Sequence, residues 1–165
     1  VGDLNEKLPF PNKFFDVVVA YHVIEHLVNV RDFASEIYRI LKKGGYVIIG
    51  TPNLASWHNI LALFIGIQPF SGPTIAPNYK SNVNMVQDLN KKRMKEVFSD
   101  YKVGSLEHIK VMTTKALVNL LKTNKFGIES LKGFGYYPWF PLISRPLSQL
   151  DPYHSHYIIL KARKI

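Results

Sequence analysis

Two histidines and a glutamate directly follow an apolar run in the stretch FFDVVVAYHVIEHLVN, residues 14–29. His22, Glu25 and His26 are residue types that exchange protons, accept hydrogen bonds and bind metal ions. Three interpretations are open. The side chains satisfy backbone groups in a turn, or they line a substrate pocket where His26 or His22 is the catalytic base on a hydroxyl, or they bind a divalent cation.

The elements around this cluster form a strand, helix, strand unit. FFDVVVAY is apolar on both faces, which is typical of a central strand of a parallel sheet. NVRDFASEIYRILKKGG predicts an amphipathic helix that is capped by Asn29 or Asp32, has lysines in its last turn and stops at Gly44. YVIIGTPN predicts a second buried strand, so the crossover between the strands should be right-handed.

The rest of the chain is less regular. LASWHNILALFIGI predicts a helix, a loop follows to about residue 84, and residues 88–99 predict a basic helix. We treat residues 54–107 as a variable helical and loop insertion. Thr113 is the expected N-cap of a helix in TTKALVNLLKTNKF. GIESLKGF and HYIILKARK predict two final strands, joined by a long loop rich in proline and aromatic residues.

Composition limits the class of protein. A chain of 165 residues with 47% hydrophobic residues can bury one core, so we expect a single soluble domain over 1–165. The absence of cysteine excludes disulfides and thiolate metal sites, and no apolar run approaches the ~18 residues of a membrane span, which favours a cytoplasmic protein. The net charge of +9 makes a nucleic-acid partner possible but not favoured, because only KKRMK, residues 91–95, is a dense basic run.

The run from Gly2 to Asn53 resembles the second half of a class I S-adenosylmethionine-dependent methyltransferase of the small-molecule, type 11-like branch. The succession GD, LPFP, FDVVV, EHL, LK.GG and TPN keeps the residue types and spacing of that family. HIKVMTTKALVNLLKTNKFGIESLKGFGYY is similar to the family's closing helix and strand, more weakly. Several submotifs in order make this match far more specific than a single glycine motif.

The chain departs from the family at its start. The family's Gly-rich turn and its ribose-binding acidic residue both precede the GD in sequence. We therefore expect an α/β fold, a partial Rossmann-like sheet with roughly the last four strands of seven and a helical insertion. We also expect a fragment that is inactive in this truncated form.

The resemblance also implies roles for residues at the carboxyl edge of the sheet, where doubly wound folds bind ligands. The implied cofactor is S-adenosyl-L-methionine. Asp3 matches the residue that accepts a hydrogen bond from the adenine amino group, Leu4 packs on the ring, and Tyr21 and His22 end the family's fourth strand. The candidate substrate-pocket residues are Glu25, Thr51, Asn53, His108, Tyr136 and Tyr137.

A metal is not our first expectation. Ubiquinone-pathway O-methyltransferases and small-RNA 2′-O-methyltransferases carry Glu-x-x-Glu-His at this position, and here His22 replaces the first glutamate. Mg²⁺ prefers oxygen ligands, so this replacement disfavours Mg²⁺, although a softer ion accepts imidazole. His22, Glu25 and His26 are the alternative metal ligands.

The resemblance implies methyl transfer to a small molecule or to a lipid or sugar conjugate. The alternatives are a non-catalytic binding or scaffold module and an RNA methyltransferase. In the family's strand order the first strand pairs with the fourth, so strand 14–21 should expose an apolar edge here. We expect a homo-oligomer that covers this edge.

Overall fold

A computed structural model describes residues 2–72, 108–137 and 139–165. The predicted basic helix at 88–99, the run at 91–95 and most of the proposed insertion lie outside these residues. Within them, the strands are β1 Phe15–Tyr21, β2 Leu41–Pro52, β3 Phe126–Phe134 and β4 Tyr157–Lys164. The α-helices are α1 Val30–Ile40, α2 Trp57–Phe64, α3 Thr114–Thr123 and α4 Pro141–Leu150.

The four strands form one sheet in the order β1-β2-β4-β3. β1 and β2 are parallel and are joined through α1, while β4 is antiparallel to both β2 and β3. Because β4 runs the opposite way, its first residues reach the edge at which β1 and β2 end. The prediction of an α/β, partial Rossmann-like sheet with four strands is confirmed.

The core lies between the sheet and the helices α1 and α3. α1 contributes Phe33, Ala34 and Ile37, and α3 contributes Leu117 and Leu121. These side chains recur at three- and four-residue spacing, so one face of each helix is apolar and packs on the sheet. The sheet supplies Ala20, Val47, Ile49, Ile158, Leu160 and Ala162 to the same cluster.

β1 is an edge strand of the described sheet, as expected for this chain, but its predicted burial on both faces is wrong. Ala20 is buried, whereas Val19 is 63% and Tyr21 57% exposed. The described residues pair β1 on one side alone, with β2, and its second face has no covering element among them. An unbroken apolar run does not by itself reveal which face is covered.

The junction between α1 and β2 differs from the prediction. The helix ends at Ile40, and Lys42 and Lys43 lie outside it, because the backbone is already extended at the fully buried Leu41. Gly44 has φ +77°, a conformation that glycine adopts without steric cost. Gly45 is pressed against β1, since a Cβ there would lie 2.9 Å from the Asp16 carbonyl oxygen.

The prediction of a helix with Thr113 as its N-cap is confirmed. Thr113 Oγ1 accepts a hydrogen bond from the Ala116 amide at 3.2 Å, which satisfies one of the free donors of the first turn of α3. Asn29 occupies the N-cap position of α1 but makes no side-chain capping bond.

The predicted loop between the last two strands contains α4. Its first residue is Pro141, a position where the missing N–H costs nothing, and Pro146 lies inside it. Proline is normally taken as a helix breaker, which is why the sequence patterns miss this element. None of the helices in the described residues is both long and apolar enough to span a membrane.

Candidate functional site

Glu25 is the centre of the site. It lies in a short 3₁₀ turn, Ile24–His26, and its side chain is fully buried. Its Oε1 is 2.9 Å from His22 Nδ1, and its Oε2 accepts a hydrogen bond from Thr51 Oγ1 at 3.0 Å. The carboxylate therefore joins the carboxyl ends of the two parallel strands β1 and β2.

His22 has a defined orientation. An ionised carboxylate can only accept, so Nδ1 of His22 carries the proton and, in the neutral ring, Nε2 keeps a lone pair. The residue has φ +52°, and its amide donates to the Gly50 carbonyl at 2.9 Å. A non-glycine residue in the left-handed region is uncommon and concentrates at functional sites.

His26 and His108 lie next to each other, close to the buried glutamate. Their ring centroids are 5.3 Å apart. The Ile109 and Lys110 amides donate to the Glu25 carbonyl at 2.8 and 3.0 Å, which fixes the segment carrying His108 against the 3₁₀ turn. Burial lowers the pKa of His108. Ligand atoms of Glu25, His26 and His108 all lie within 4.8 Å of one another.

Thr51 and Asn53 are almost completely buried, and protein groups use their polar atoms. Asn53 Nδ2 donates to the carbonyls of Tyr153 and Ser155 at 2.7 and 2.9 Å. Its Oδ1 accepts from the Ala55 and Thr114 amides. Thr51 and Asn53 therefore support the edge of the sheet from within, and their assignment as pocket residues stays a prediction.

Asp3 and Leu4 lie on the loop that precedes β1. Asp3 is exposed, and hydrogen bonds from the backbone and side chain of Asn5 lower its pKa. Asn5 Oδ1 accepts from the Val28 amide at 2.8 Å, so this loop is tied to the loop that follows Glu25. Leu4 is partly buried and lines an apolar groove formed with β1 and α1.

Tyr136 and Tyr137 have different surroundings. The Tyr136 hydroxyl donates to Asp151 Oδ2 at 2.7 Å and accepts from Trp57 Nε1 at 2.6 Å, and burial raises the pKa of Tyr136. Tyr137 is 55% exposed and contacts the rings of His58 and His156. Only Tyr137 of these two leaves most of its side chain open to a ligand.

Sequence patterns missed the pairing of His58 with His156. His58 lies in the first turn of α2, His156 immediately precedes β4, and their Nε2 and Nδ1 atoms are 2.9 Å apart. Burial lowers the pKa of both residues, that of His156 to about 3. The Tyr157 ring contacts both His156 and His22, so the pair lies beside the Glu25 site. His156, the second histidine of HSHY at residues 154–157, lies just before the last strand and was the sequence signal that could have predicted this pair.

Known proteins resemble the chain both in sequence and in fold. The family described as a methyltransferase domain matches residues 1–49. A probable S-adenosylmethionine-dependent methyltransferase of Mycolicibacterium smegmatis is 48% identical over 52 residues, which cover 32% of this chain and 20% of that protein. The ubiquinone/menaquinone biosynthesis C-methyltransferase UbiE of Coxiella burnetii is 31% identical over 88 residues, covering 51% of this chain and 35% of the relative.

Solved structures share the fold. A methyltransferase structure from Methanosarcina mazei aligns with a TM-score of 0.58 and 17% identity, over 99% of this chain and 65% of that one. A Thermotoga maritima structure, described as a possible histamine N-methyltransferase, aligns with a TM-score of 0.56 and 18% sequence identity, over 99% of this chain and 62% of that one. The sequence matches are shorter: they span about a fifth of the Mycolicibacterium relative and about a third of the Coxiella relative.

The parallel β1-α1-β2 unit, the antiparallel β4 and the matched amino-terminal segment define a Rossmann-like methyltransferase sheet. Residues 1–49 thus match the methyltransferase-domain family, and the described residues share the fold of S-adenosylmethionine-dependent methyltransferase structures. The Mycolicibacterium relative is named as dependent on S-adenosylmethionine.

Proposed function

We propose that the chain forms part of an enzyme that transfers a methyl group from S-adenosylmethionine to a small-molecule acceptor or to a lipid or sugar conjugate. The observation that carries the proposal is the buried Glu25, which joins His22 to Thr51 where the two parallel strands end. This is the edge at which doubly wound sheets bind ligands. The Coxiella relative is named as a C-methyltransferase of ubiquinone/menaquinone biosynthesis, which supports an acceptor of this kind.

The described residues fit one side of the cofactor. Asp3 is exposed and ionised, so it can accept a hydrogen bond from an adenine amino group, and Leu4 offers an apolar surface beside it. Tyr21 exposes its ring at the end of β1, next to His22. The bound cofactor would supply an electrophilic methyl group on a sulfonium.

His22 is the proposed proton acceptor for a hydroxyl substrate. Glu25 holds the proton on Nδ1, which leaves Nε2 of the neutral ring to accept the proton that the substrate loses. Thr51 donates to the second oxygen of the same carboxylate and keeps it oriented. In this arrangement Glu25 is the third group, which orients the base towards the substrate.

The test is a calorimetric titration of the natural-length protein with S-adenosylhomocysteine. We expect micromolar binding, and at least tenfold weaker binding in Tyr21→Ala, because the exposed Tyr21 ring lies at the proposed cofactor edge. Tyr153→Ala is the matched control and should bind as the wild type does, since Tyr153 is also exposed but lines a separate pocket with Thr113, Lys115 and His154. A folded natural-length protein that binds no S-adenosylhomocysteine would overturn the proposal.

A further inference from the structure

We propose that Glu25, His26 and His108 bind a divalent cation of the kind that accepts imidazole ligands, such as Zn²⁺ or Co²⁺. Their ligand atoms lie within 4.8 Å of one another. Atoms bound to Zn²⁺ at ~2.0–2.2 Å are up to ~4 Å apart, so side-chain shifts of roughly 1 Å close the site. The sequence did not place His108 in this set.

His108 presents the correct nitrogen. Its Nδ1 lies 3.0 Å from the Ser71 carbonyl oxygen, which can only accept, so Nδ1 carries the proton. The lone pair of the neutral ring is then on Nε2. Metal-binding histidines in proteins commonly donate their second ring N–H to a backbone carbonyl in this way, because it fixes both the tautomer and the ring orientation.

Glu25 supplies the negative charge. A fully buried carboxylate is costly unless an opposite charge or several hydrogen bonds compensate it. Its two oxygens each have one described hydrogen-bond partner, His22 or Thr51, and neither partner is a permanent cation. Each carboxylate oxygen has two lone pairs, so a cation can be bound while both hydrogen bonds remain.

The backbone holds the ligands together. Glu25 and His26 are consecutive residues of the 3₁₀ turn, and the two amides that follow His108 donate to the Glu25 carbonyl. The site therefore bridges two segments more than eighty residues apart in sequence. A bound cation would add a third connection between them.

The donor set selects the type of cation. Two imidazoles and one carboxylate suit borderline ions such as Zn²⁺ and Co²⁺ better than Mg²⁺, which prefers oxygen ligands. His22, an alternative ligand on sequence grounds, instead faces Glu25 Oε1 through Nδ1 and acts as an outer partner of the carboxylate.

Titration of the full chain with Zn²⁺ by calorimetry, and with Co²⁺ by visible absorption, tests this inference. We expect one cation per chain and at least tenfold weaker binding in His108→Ala and in His26→Ala. His154→Ala is the matched control and should bind normally, because His154 pairs with Asp151 in a separate cluster. Circular dichroism establishes that each variant is folded.

Two results would overturn the site. One is a folded wild-type chain that binds neither cation. The other is binding that survives both His108→Ala and His26→Ala but is lost in His58→Ala, which would place the cation at the other histidine pair. Both measurements are independent of S-adenosylhomocysteine binding, so the metal site and the proposed function can fail separately.

Discussion

Glu25 shows how a single residue organises this edge of the sheet. Its carboxylate oxygens contact side chains that follow β1 and end β2, and its carbonyl accepts the two amides after His108. A carboxylate is buried this completely in proteins only with such compensation. The residue therefore fixes the positions of His22, Thr51 and His108 relative to one another, whichever of them contacts a ligand.

The His58–His156 pair makes stability depend on pH at the residue scale. The pKa of His156 is about 3 in the folded chain, because burial disfavours the charged ring, against about 6.5 in an unfolded chain. Below about pH 6.5 the unfolded chain binds a proton that the folded chain does not, so the free energy of unfolding falls as pH falls toward 3. Above pH 6.5 this contribution stays constant. Burial shifts His58 and His108 in the same direction.

We predict that the free energy of unfolding falls between pH 6.5 and 5 by up to about 1.4 kcal/mol per pH unit for His156. Urea unfolding at three pH values in this window measures the slope. His156→Phe should make the slope shallower, because the phenyl ring binds no proton in either state, while His58 and His108 still contribute. An equally steep slope in His156→Phe would show that other groups cause the pH dependence.

At the scale of elements, the junction between α1 and β2 determines where the site residues end up. Leu41 pairs with Phe15, and the register then shifts so that Val17 pairs with Tyr46. The intervening residues include Gly44 and Gly45, one with positive φ and the other in close contact with β1. This shift sets Tyr21 opposite Gly50, and so sets His22 beside Thr51.

Gly45→Ala tests the importance of that junction. The added methyl group would lie 2.9 Å from the Asp16 carbonyl oxygen, and the backbone must move to accept it. We predict a loss of about 1–3 kcal/mol in the free energy of unfolding, measured with urea. Gly2→Ala is the control, because no atom lies within 4 Å of its added Cβ, and it should stay within about 0.5 kcal/mol of the wild type. An equally small effect at Gly45 would mean that the junction is not tightly packed.

At the scale of the whole molecule, the main feature to explain is the edge of β1 that is unpaired among the described residues. Val17, Val19 and Tyr21 are exposed on one face of the strand, beside an apolar groove that α1 and residues 4–10 complete. A long apolar edge strand with unpaired backbone groups tends to pair with another strand. The proposed homo-oligomer would cover this edge.

We predict that the chain self-associates in sedimentation velocity experiments at micromolar concentration. Val19→Lys should shift the population toward monomer, because a charged side chain on an exposed edge opposes strand pairing. Lys132→Gln is the control: it also changes the charge by one, but on β3 at the opposite edge of the sheet, and it should leave the distribution unchanged. A wild-type chain that stays monomeric would contradict the prediction.

The sequence by itself determined the elements with strong local signals. The alternation of apolar runs, capping residues and glycines predicted β1, α1, β2 and the Thr113-capped helix, and the GD to TPN succession predicted the family. These features depend on neighbours a few residues apart, which is the range over which periodicity and capping act. The helix Pro141–Leu150 was not predicted, because its two prolines are a strong local signal against a helix.

Only the tertiary structure decided which polar side chains meet. His108 joins Glu25 and His26, and His58 joins His156, across separations of about eighty to a hundred residues. The structure also placed the Asn53 amide inside the protein, where backbone groups use all its polar atoms. Such contacts depend on how the sheet and helices pack, and residue type and spacing do not encode that packing locally. The sequence thus predicted the edge at which chemistry can occur, and the packing determined which residues face one another there.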